Sequence, residues 1–505
     1  MRGGMIELEG SERPPAPGAR RIGGLASATE LSLTVTLQGP ELPGTAALAG
    51  PPCTRAEVDD AYGASPIDVA RIATTLTRFG LVPGASATAG RSLAVRGTAG
   101  AVRDAFGVTL AQYRGPDGTV YRGRQGPVCL PSELGGIVSG VFGLDERAMA
   151  HRDHTGSSRA PRAADSAPCA PEDLERRYQF PPSSAEGHTI AVAEFAHAPH
   201  IDDVQLFCQK HERRFPDLTV VPVGPLPVRR RRRSASCGAE DPDDRRLRVA
   251  ATADIEMVAS LCPGARIVVL VAPPTQQGWI DLLDRVVSGE GDRPVALAVA
   301  WGAAEGSVDW SAAARREIDV RLQLAAMLGI TVCAAARAGA GPATGSPAHD
   351  HGWDPSFPGT SPFVVSVGHH AARAAAPDPD AAPWRTPGQD GAGETSFAAS
   401  ALFAPPSWQH GACPSAPLAS AGRVVPDVAA VGPAPRVDVV VDGASTSRQS
   451  GGAAAVVWAA LLTRIYGSLS APCPPRFVAP LLYGGGSGPD VSAAGAPGAT
   501  VAGAM

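Results

Sequence analysis

Short apolar runs alternate with longer helical patterns between residues 188 and 336, and this alternation constrains the fold more than any other feature of the sequence. Near-continuous Val, Ile and Ala runs are typical of parallel strands that are buried on both faces. Strands are predicted at 188–196, 266–274, 295–301 and 330–336, with helices at 201–212, 279–287 and 314–329. The pattern predicts an α/β fold, a doubly wound parallel sheet with helices on both faces. Residues 340–450 are rich in Gly, Pro, Ala and Asp, which favours long loops.

A different pattern precedes this region and predicts a separate α+β domain over residues 25–148. The Gly-, Pro- and Arg-rich residues 1–24 are predicted to be disordered, and the aperiodic residues 149–172 to form an exposed linker. The second domain then covers 173–505. Inside the first domain, the patterns predict strands at 30–37 and 92–98, helices at 54–63, 65–80 and 98–107, and a hairpin that turns at 116–118.

Composition excludes several classes of function. The net charge is −5 and charged residues make up 18% of the chain, which argues against a nucleic-acid partner. No apolar run is long enough for a membrane span, and no secretory signal is visible at the N-terminus. The nine cysteines form no CxxC pair, so they are interpreted as small buried hydrophobes. The arginines at 229–233 and the histidines at 369–370 are interpreted as loop residues.

Several long segments resemble one known family. Residues 54–73, 97–114 and 121–152 closely resemble the pro-kumamolisin activation domain in order and spacing. Residues 178–195, 264–283, 353–368, 394–409 and 423–432 resemble the peptidase domain of the sedolisins, the serine-carboxyl peptidases. The resemblance spans roughly residues 25–485 and implies a subtilisin-like α/β peptidase domain behind an α+β propeptide. It also implies peptide-bond cleavage by a Ser nucleophile that is assisted by Glu and Asp.

The resemblance also gives the positions at which the catalytic residues should stand. A Ser hydroxyl needs an adjacent base, and the developing oxyanion needs a stabilising donor. The family carries the Glu base and its orienting Asp four residues apart on one helix; here these positions are Ala250 and Asp254. The oxyanion acid falls on Ala338, after Arg337, and the nucleophile on Gly452. Asp254 is therefore the one retained member, and Ser450, two residues from the nucleophile position, is the candidate substitute.

The family binds calcium near its C-terminus, and a hard cation of this kind prefers six or more oxygen ligands. The matching segment supplies Asp490 and Val491 and then lacks the later Asp of the family pattern. The remnant predicts weak calcium binding or none, and no other cofactor is expected.

Three hypotheses follow from these positions. The first is a catalytically inactive sedolisin homologue whose cleft binds a peptide, a protein ligand or its own propeptide, without a nucleic-acid or membrane partner. The second is an acid endopeptidase that uses substitute residues such as Ser450 and Asp254. The third is a decaying gene product. The family resemblance favours an extracellular protein, but no export signal supports that location.

Overall fold

The computed structural model describes the chain from residue 4 to 483 with internal gaps: 4–149, 151–152, 169–224, 242–289, 291, 293–336, 355–370, 398–410, 422–431, 437–448, 453–469 and 473–483. The described residues form two hydrophobic cores. The smaller core joins strands and helices before residue 145. The larger one surrounds the central sheet of the second domain and also includes Leu48, Val58, Ala89 and Phe142 of the first.

The first domain packs helices against an antiparallel four-stranded sheet. The strands of the whole domain are Met5–Glu7 (β1), Arg20–Gly24 (β2), Glu30–Leu37 (β3), Val82–Ala87 (β4), Ser92–Thr98 (β5), Ala111–Arg114 (β6), Val120–Gly123 (β7), Cys129–Pro131 (β8) and Val138–Phe142 (β9). Its helices are Arg55–Tyr62 (α1), Pro66–Thr77 (α2) and Ala99–Phe106 (α3), with 3-10 turns at Thr45–Ala49 and Ser132–Leu134. The main sheet has the order β4-β5-β3-β9, and β2-β6-β7 and β1-β8 are smaller sheets.

Local sequence signals set the ends of these helices. Thr54 and Glu57 form a capping box at the start of α1, and the Ser65 hydroxyl caps α2, in which Pro66 occupies the first turn. Helix α3 begins after the Thr98 cap and ends at Gly107, whose φ of 63° is left-handed. The predicted helices therefore agree with the structure to within a few residues.

The second domain is built on a seven-stranded parallel sheet, as predicted. Its strands lie in the order β12-β13-β11-β14-β16-β18-β21, and every neighbouring pair is parallel. They are Thr189–Phe195 (β11), Asp217–Pro222 (β12), Arg266–Ala272 (β13), Ala296–Val299 (β14), Thr331–Ala335 (β16), Val365–His370 (β18) and Val428–Val431 (β21). The described part of this domain also contains three smaller sheets. The first has three strands, His151–Arg152 (β10), Trp301–Ala304 (β15) and Ser356–Phe357 (β17). The other two are strand pairs: Ala398–Ala399 (β19) with Val424–Val425 (β20), and Val437–Val441 (β22) with Ala444–Arg448 (β23).

Helices cover this sheet. They are Pro171–Arg177 (α4), Ile201–Lys210 (α5), Pro242–Leu261 (α6), Gln276–Ser288 (α7), Ala312–Met327 (α8), Ala453–Tyr466 (α9) and Ala479–Leu482 (α10), with a 3-10 turn at Ser407–Gln409. Helix α9 is buried along its whole length because it packs against α6 and several central strands. None of the described helices is both long and apolar enough to cross a bilayer.

Two predictions about the ends of the first domain are wrong. Residues 1–24 were expected to be disordered, yet β1 pairs with β8 and β2 pairs with β6. The linker was expected to be exposed from residue 149, yet Met149 is fully buried and its amide and carbonyl are both hydrogen-bonded, to Pro274 and Trp279. Strand pairing explains the first error, and contacts with Pro274 and Trp279 explain the second; composition registers neither. Residues 150 and 153–168 of the predicted linker lie outside the described part of the chain.

Polar residues of the two domains meet at one surface, which we call the interdomain interface. The first domain contributes Thr34, Gly90 and Ser92, and the second contributes Asp281, Asp284 and Arg321. The Ser92 hydroxyl donates to Asp284 over 2.6 Å, and Arg321 donates to Asp284 and to the carbonyl of Gly90. The Thr34 hydroxyl donates to Asp281 over 2.6 Å. A Cβ at Gly90 would lie 2.2 Å from an Asp284 oxygen, so the contact requires glycine. The charged groups are paired, as burial requires.

The cysteines that the structure describes are Cys53, Cys129, Cys169, Cys208, Cys262, Cys333 and Cys473; all seven are free and four are buried. This agrees with their interpretation as small hydrophobes. The arginines at 229–233 lie outside the described residues, and for the histidines at 369–370 only the strand backbone is described.

Candidate active site

Helix α6 carries the two catalytic positions that the structure describes. Ala250 and Asp254 are four residues apart and lie one turn from each other on the same face. Asp254 is 1% exposed, whereas position 250 offers only a methyl group. The remaining predicted positions, Ala338, Ser450, Gly452, Asp490 and Val491, lie outside the described residues, so their roles stay predictions.

A second carboxylate of α6, Glu256, is buried beneath the β22–β23 hairpin. Both of its oxygens lie 3.2 Å from the amide nitrogen of Val440. Burial raises the pKa of Glu256 to about 9, although the Val440 N–H acts in the opposite direction. Glu256 is therefore neutral at acid and neutral pH and serves the hairpin rather than the cleft. The sequence analysis missed this contact because residues 254 and 256 cannot share a helix face.

Helix α5 holds the same hairpin at its turn. Asp203 accepts hydrogen bonds from the amides of Asp442 and Gly443, at 2.9 and 2.8 Å. Arg245 and Arg248 of α6 pair with the Asp442 carboxylate. These contacts fix the hairpin, which precedes Ser450 and the predicted nucleophile position in the sequence.

A buried acid also terminates strand β11. Glu194 is fully buried, and one of its oxygens accepts a hydrogen bond of 3.0 Å from Trp301 Nε1 at the start of β15. The Phe195 ring packs against the Trp301 and Trp279 rings. A carboxylate in an otherwise apolar strand is a signal that sequence reasoning could have used, because buried acids are rare without a partner. The contact holds β15 in place.

The chain that leaves the first domain lies along β15. His151 pairs with Gly302 and Arg152 with Trp301 in an antiparallel register, and β17 covers the other edge. Main-chain pairing of this kind is how an extended peptide adds to an open strand edge. The outer edge of β15 therefore accommodates an extended segment, and the protein's own chain occupies it.

Two histidine–carboxylate contacts lie near the starts of helices α5 and α6. His197 Nε2 lies 3.3 Å from Asp244 near the start of α6, and His200 Nδ1 lies 3.1 Å from Asp203. The His200 amide donates to the Thr252 hydroxyl, which places the loop after β11 against α6. In the described part of the chain, no three His, Cys, Asp or Glu side chains are grouped closely enough to hold a metal ion.

Comparison with known proteins places this arrangement among the serine-carboxyl peptidases. Residues 18–147 match the model of the family described as pro-kumamolisin, activation domain. Kumamolisin from Bacillus sp. is 32% identical over 500 residues, which cover 94% of this chain and 87% of that protein. The chain therefore belongs to the sedolisin/kumamolisin family, with an activation domain followed by a subtilisin-like α/β peptidase domain.

Two further similarities are more distant. Tripeptidyl-peptidase sed5 from Aspergillus fumigatus is 25% identical over 334 residues, which cover 59% of this chain and 56% of that protein. A structure of Pseudomonas sedolisin, a serine-carboxyl proteinase complexed with two molecules of pseudo-iodotyrostatin, is 16% identical with a TM-score of 0.47, covering 64% of this chain and 86% of that one.

Proposed function

We propose that this protein is a catalytically inactive member of the sedolisin family that binds an extended peptide segment in its cleft. The observation that carries the proposal is the pair of positions on α6, where Asp254 is retained and the base position is Ala250. This helix face then offers the Asp254 carboxylate in place of the family's Glu and Asp pair, and the predicted nucleophile position, Gly452, has no hydroxyl to activate. The substitutions at Ala338 and Gly452 point in the same direction.

The binding part of the proposal rests on β15. Trp301 is anchored to Glu194, so the strand is fixed whether or not its outer edge is covered. The segment around His151–Arg152 occupies that edge, and Met149 is held by Trp279 and Pro274. The ligand class is therefore an extended peptide, and the ligand supplied by the chain itself is its own propeptide segment. We expect the propeptide to stay attached because the protein cannot remove it.

The test is incubation of the full-length protein at about pH 3–6, the range in which carboxyl groups change protonation, followed by intact-mass measurement and a peptide-library digest. The proposal expects an unchanged mass and no cleaved peptide. A Ser450→Ala variant is the matched control. Cleavage by the parent protein that Ser450→Ala abolishes would show that the protein is an acid endopeptidase with a rebuilt site.

Peptide binding is measured separately. A synthetic peptide with the sequence of residues 146–156 is titrated into a variant in which His151 and Arg152 are both replaced by Pro. Proline cannot donate to the β15 ladder, so the variant frees the edge. The expected result is saturable binding to the variant and weak binding to the parent protein. Equal binding to both would place the peptide elsewhere and overturn the binding part.

A further inference from the structure

A cavity of about 90 Å³ lies between helix α1 of the activation domain and the sheet of the peptidase domain, away from helix α6. Apolar residues of the sheet such as Val268 line the cavity, together with Arg55, Arg266, Arg285 and Thr189. At roughly 30 Å³ per water, the cavity holds a few waters or one small polyatomic ion.

Two of the arginines near this cavity bind the backbone across the domain boundary. Arg55 donates from Nη1 to the carbonyl of Gly291 over 3.0 Å, and Arg293 donates from Nη1 to the carbonyl of Cys53 over 3.3 Å. These reciprocal bonds fix both side chains. The Nε of Arg55 is buried and has no hydrogen-bond partner within the described chain. A buried donor without an acceptor is costly, and an anion in the cavity would satisfy it.

The charges around the cavity are unbalanced. Arg266 has the Asp217 carboxylate at 3.9 Å. The Asp59 carboxylate acts on the charge of Arg55, and the neighbouring Arg285 acts in the opposite direction. Burial lowers the pKa of Arg55 and of Arg293, and neighbouring arginines lower it further. Like charges held this close are relieved by a bound counter-ion.

We propose that this cavity binds a small oxyanion of the phosphate type and thereby ties the activation domain to the peptidase domain. The guanidinium fork presents parallel donors that match such an oxyanion, and Thr189 adds a hydroxyl. Because Arg55 belongs to one domain and Arg285 to the other, the bound ion contacts both and stabilises their association.

The experiment is a titration of the full-length protein with inorganic phosphate at constant ionic strength, read by calorimetry and by the thermal unfolding midpoint. Phosphate at about 10 mM is expected to raise the midpoint saturably, as preferential binding to the folded state requires. In Arg55→Gln and Arg285→Gln the affinity is expected to fall about tenfold or more, with partial retention in Arg285→Lys. Arg71→Gln, which changes an exposed arginine of α2, is the matched control.

Each other outcome overturns the site. An equal shift with chloride at the same ionic strength would show general salt stabilisation. An unchanged phosphate response in folded Arg55→Gln and Arg285→Gln, verified by circular dichroism, would place the ion elsewhere. Glu290 and Asp292 flank Gly291 in the sequence. Phosphate binding that appears only in the variant Glu290→Gln/Asp292→Asn would show that the chain's own carboxylates serve the arginines.

Discussion

The interdomain interface and helix α6 differ in whether their charged groups have the partners that each arrangement requires. At the interface, Ser92, Asp284 and Arg321 form a buried network in which each charge has its partner. On α6, Asp254 is kept while position 250 is Ala. Contacts that hold the activation domain to the peptidase domain are thus complete, whereas we propose that the catalytic pair predicted on α6 lacks its base. In an enzyme that discards its propeptide, such an interface is temporary; in this protein we expect it to be permanent.

The largest expected effect comes from breaking the interface. Asp284→Ala leaves the fully buried Arg321 guanidinium with Glu317 as its remaining carboxylate partner and removes the acceptor of Ser92. Removing one partner of a buried ion pair costs about 3–5 kcal/mol. Urea unfolding of the full chain measures this loss. Asp104→Ala, which breaks an exposed pair with Arg103, is the control and should cost under about 1 kcal/mol. Equal costs for the two variants would contradict the importance of the interface.

The next prediction concerns how the stability of the interdomain interface depends on pH. Burial raises the pKa of Asp281 to about 7, although its hydrogen bond from Thr34 acts in the opposite direction. A carboxyl whose pKa is higher in the folded protein favours folding most at low pH, and this contribution is lost as pH rises from about 4 to about 7. The free energy of unfolding should therefore fall by roughly 2–4 kcal/mol across that window because of Asp281.

Asp281→Asn tests this assignment, because the amide keeps an acceptor for Thr34 and cannot ionise. We expect a flatter dependence of unfolding free energy on pH between about 4 and 7 in this variant. Asp104→Asn, at an exposed position, should leave the slope unchanged. An identical slope in Asp281→Asn and the parent protein would assign the pH dependence to other groups. The direction matters, since it means that the interface holds the domains together best in acid.

On the catalytic side, Glu256 supports the hairpin. Glu256→Ala leaves the buried amide of Val440 without its acceptor and should destabilise the protein by about 1–3 kcal/mol. Glu256→Gln preserves an acceptor and resembles the neutral acid, so its cost at pH 7 should stay below about 1 kcal/mol. Thermal unfolding measures both. If Gln costs as much as Ala, Glu256 is ionised in the folded protein and its pKa is not raised.

The sequence predicted the parallel sheet well because strands buried on both faces leave a continuous apolar pattern. Residues 266–274, for example, correspond to β13 at Arg266–Ala272. It failed for β1, β2 and β10, which are short strands of two to five residues that pair with an available partner edge. Strand pairing is set by contacts between distant parts of the chain, and a local pattern does not contain them.

The candidate site shows the same difference between features that sequence position predicts and contacts that depend on the fold. The predicted roles of positions 254 and 250, a retained acid and a missing base, rest on the family resemblance and on their spacing along one helix. The anchoring of the hairpin by Glu256 and Asp203, and the bond between Glu194 and Trp301, join residues more than a hundred positions apart or on different strands. Such contacts require the fold. Only Glu194, an acid inside an apolar strand, could have been singled out beforehand.

The smallest expected change in stability tests the other side of the comparison. Ala250 is half-buried, so Ala250→Glu should alter the free energy of unfolding by less than about 1 kcal/mol and restore the carboxylate pair with Asp254. Alone it should produce no self-cleavage in acid, since the predicted nucleophile position is Gly452. Intact mass after acid incubation measures this. Ala250→Gln, which matches the size without the base, is the control. Cleavage by Ala250→Glu but not by Ala250→Gln would mean that Ser450 acts as the nucleophile once a base is present, and that the proposed inactivity resides in α6 alone.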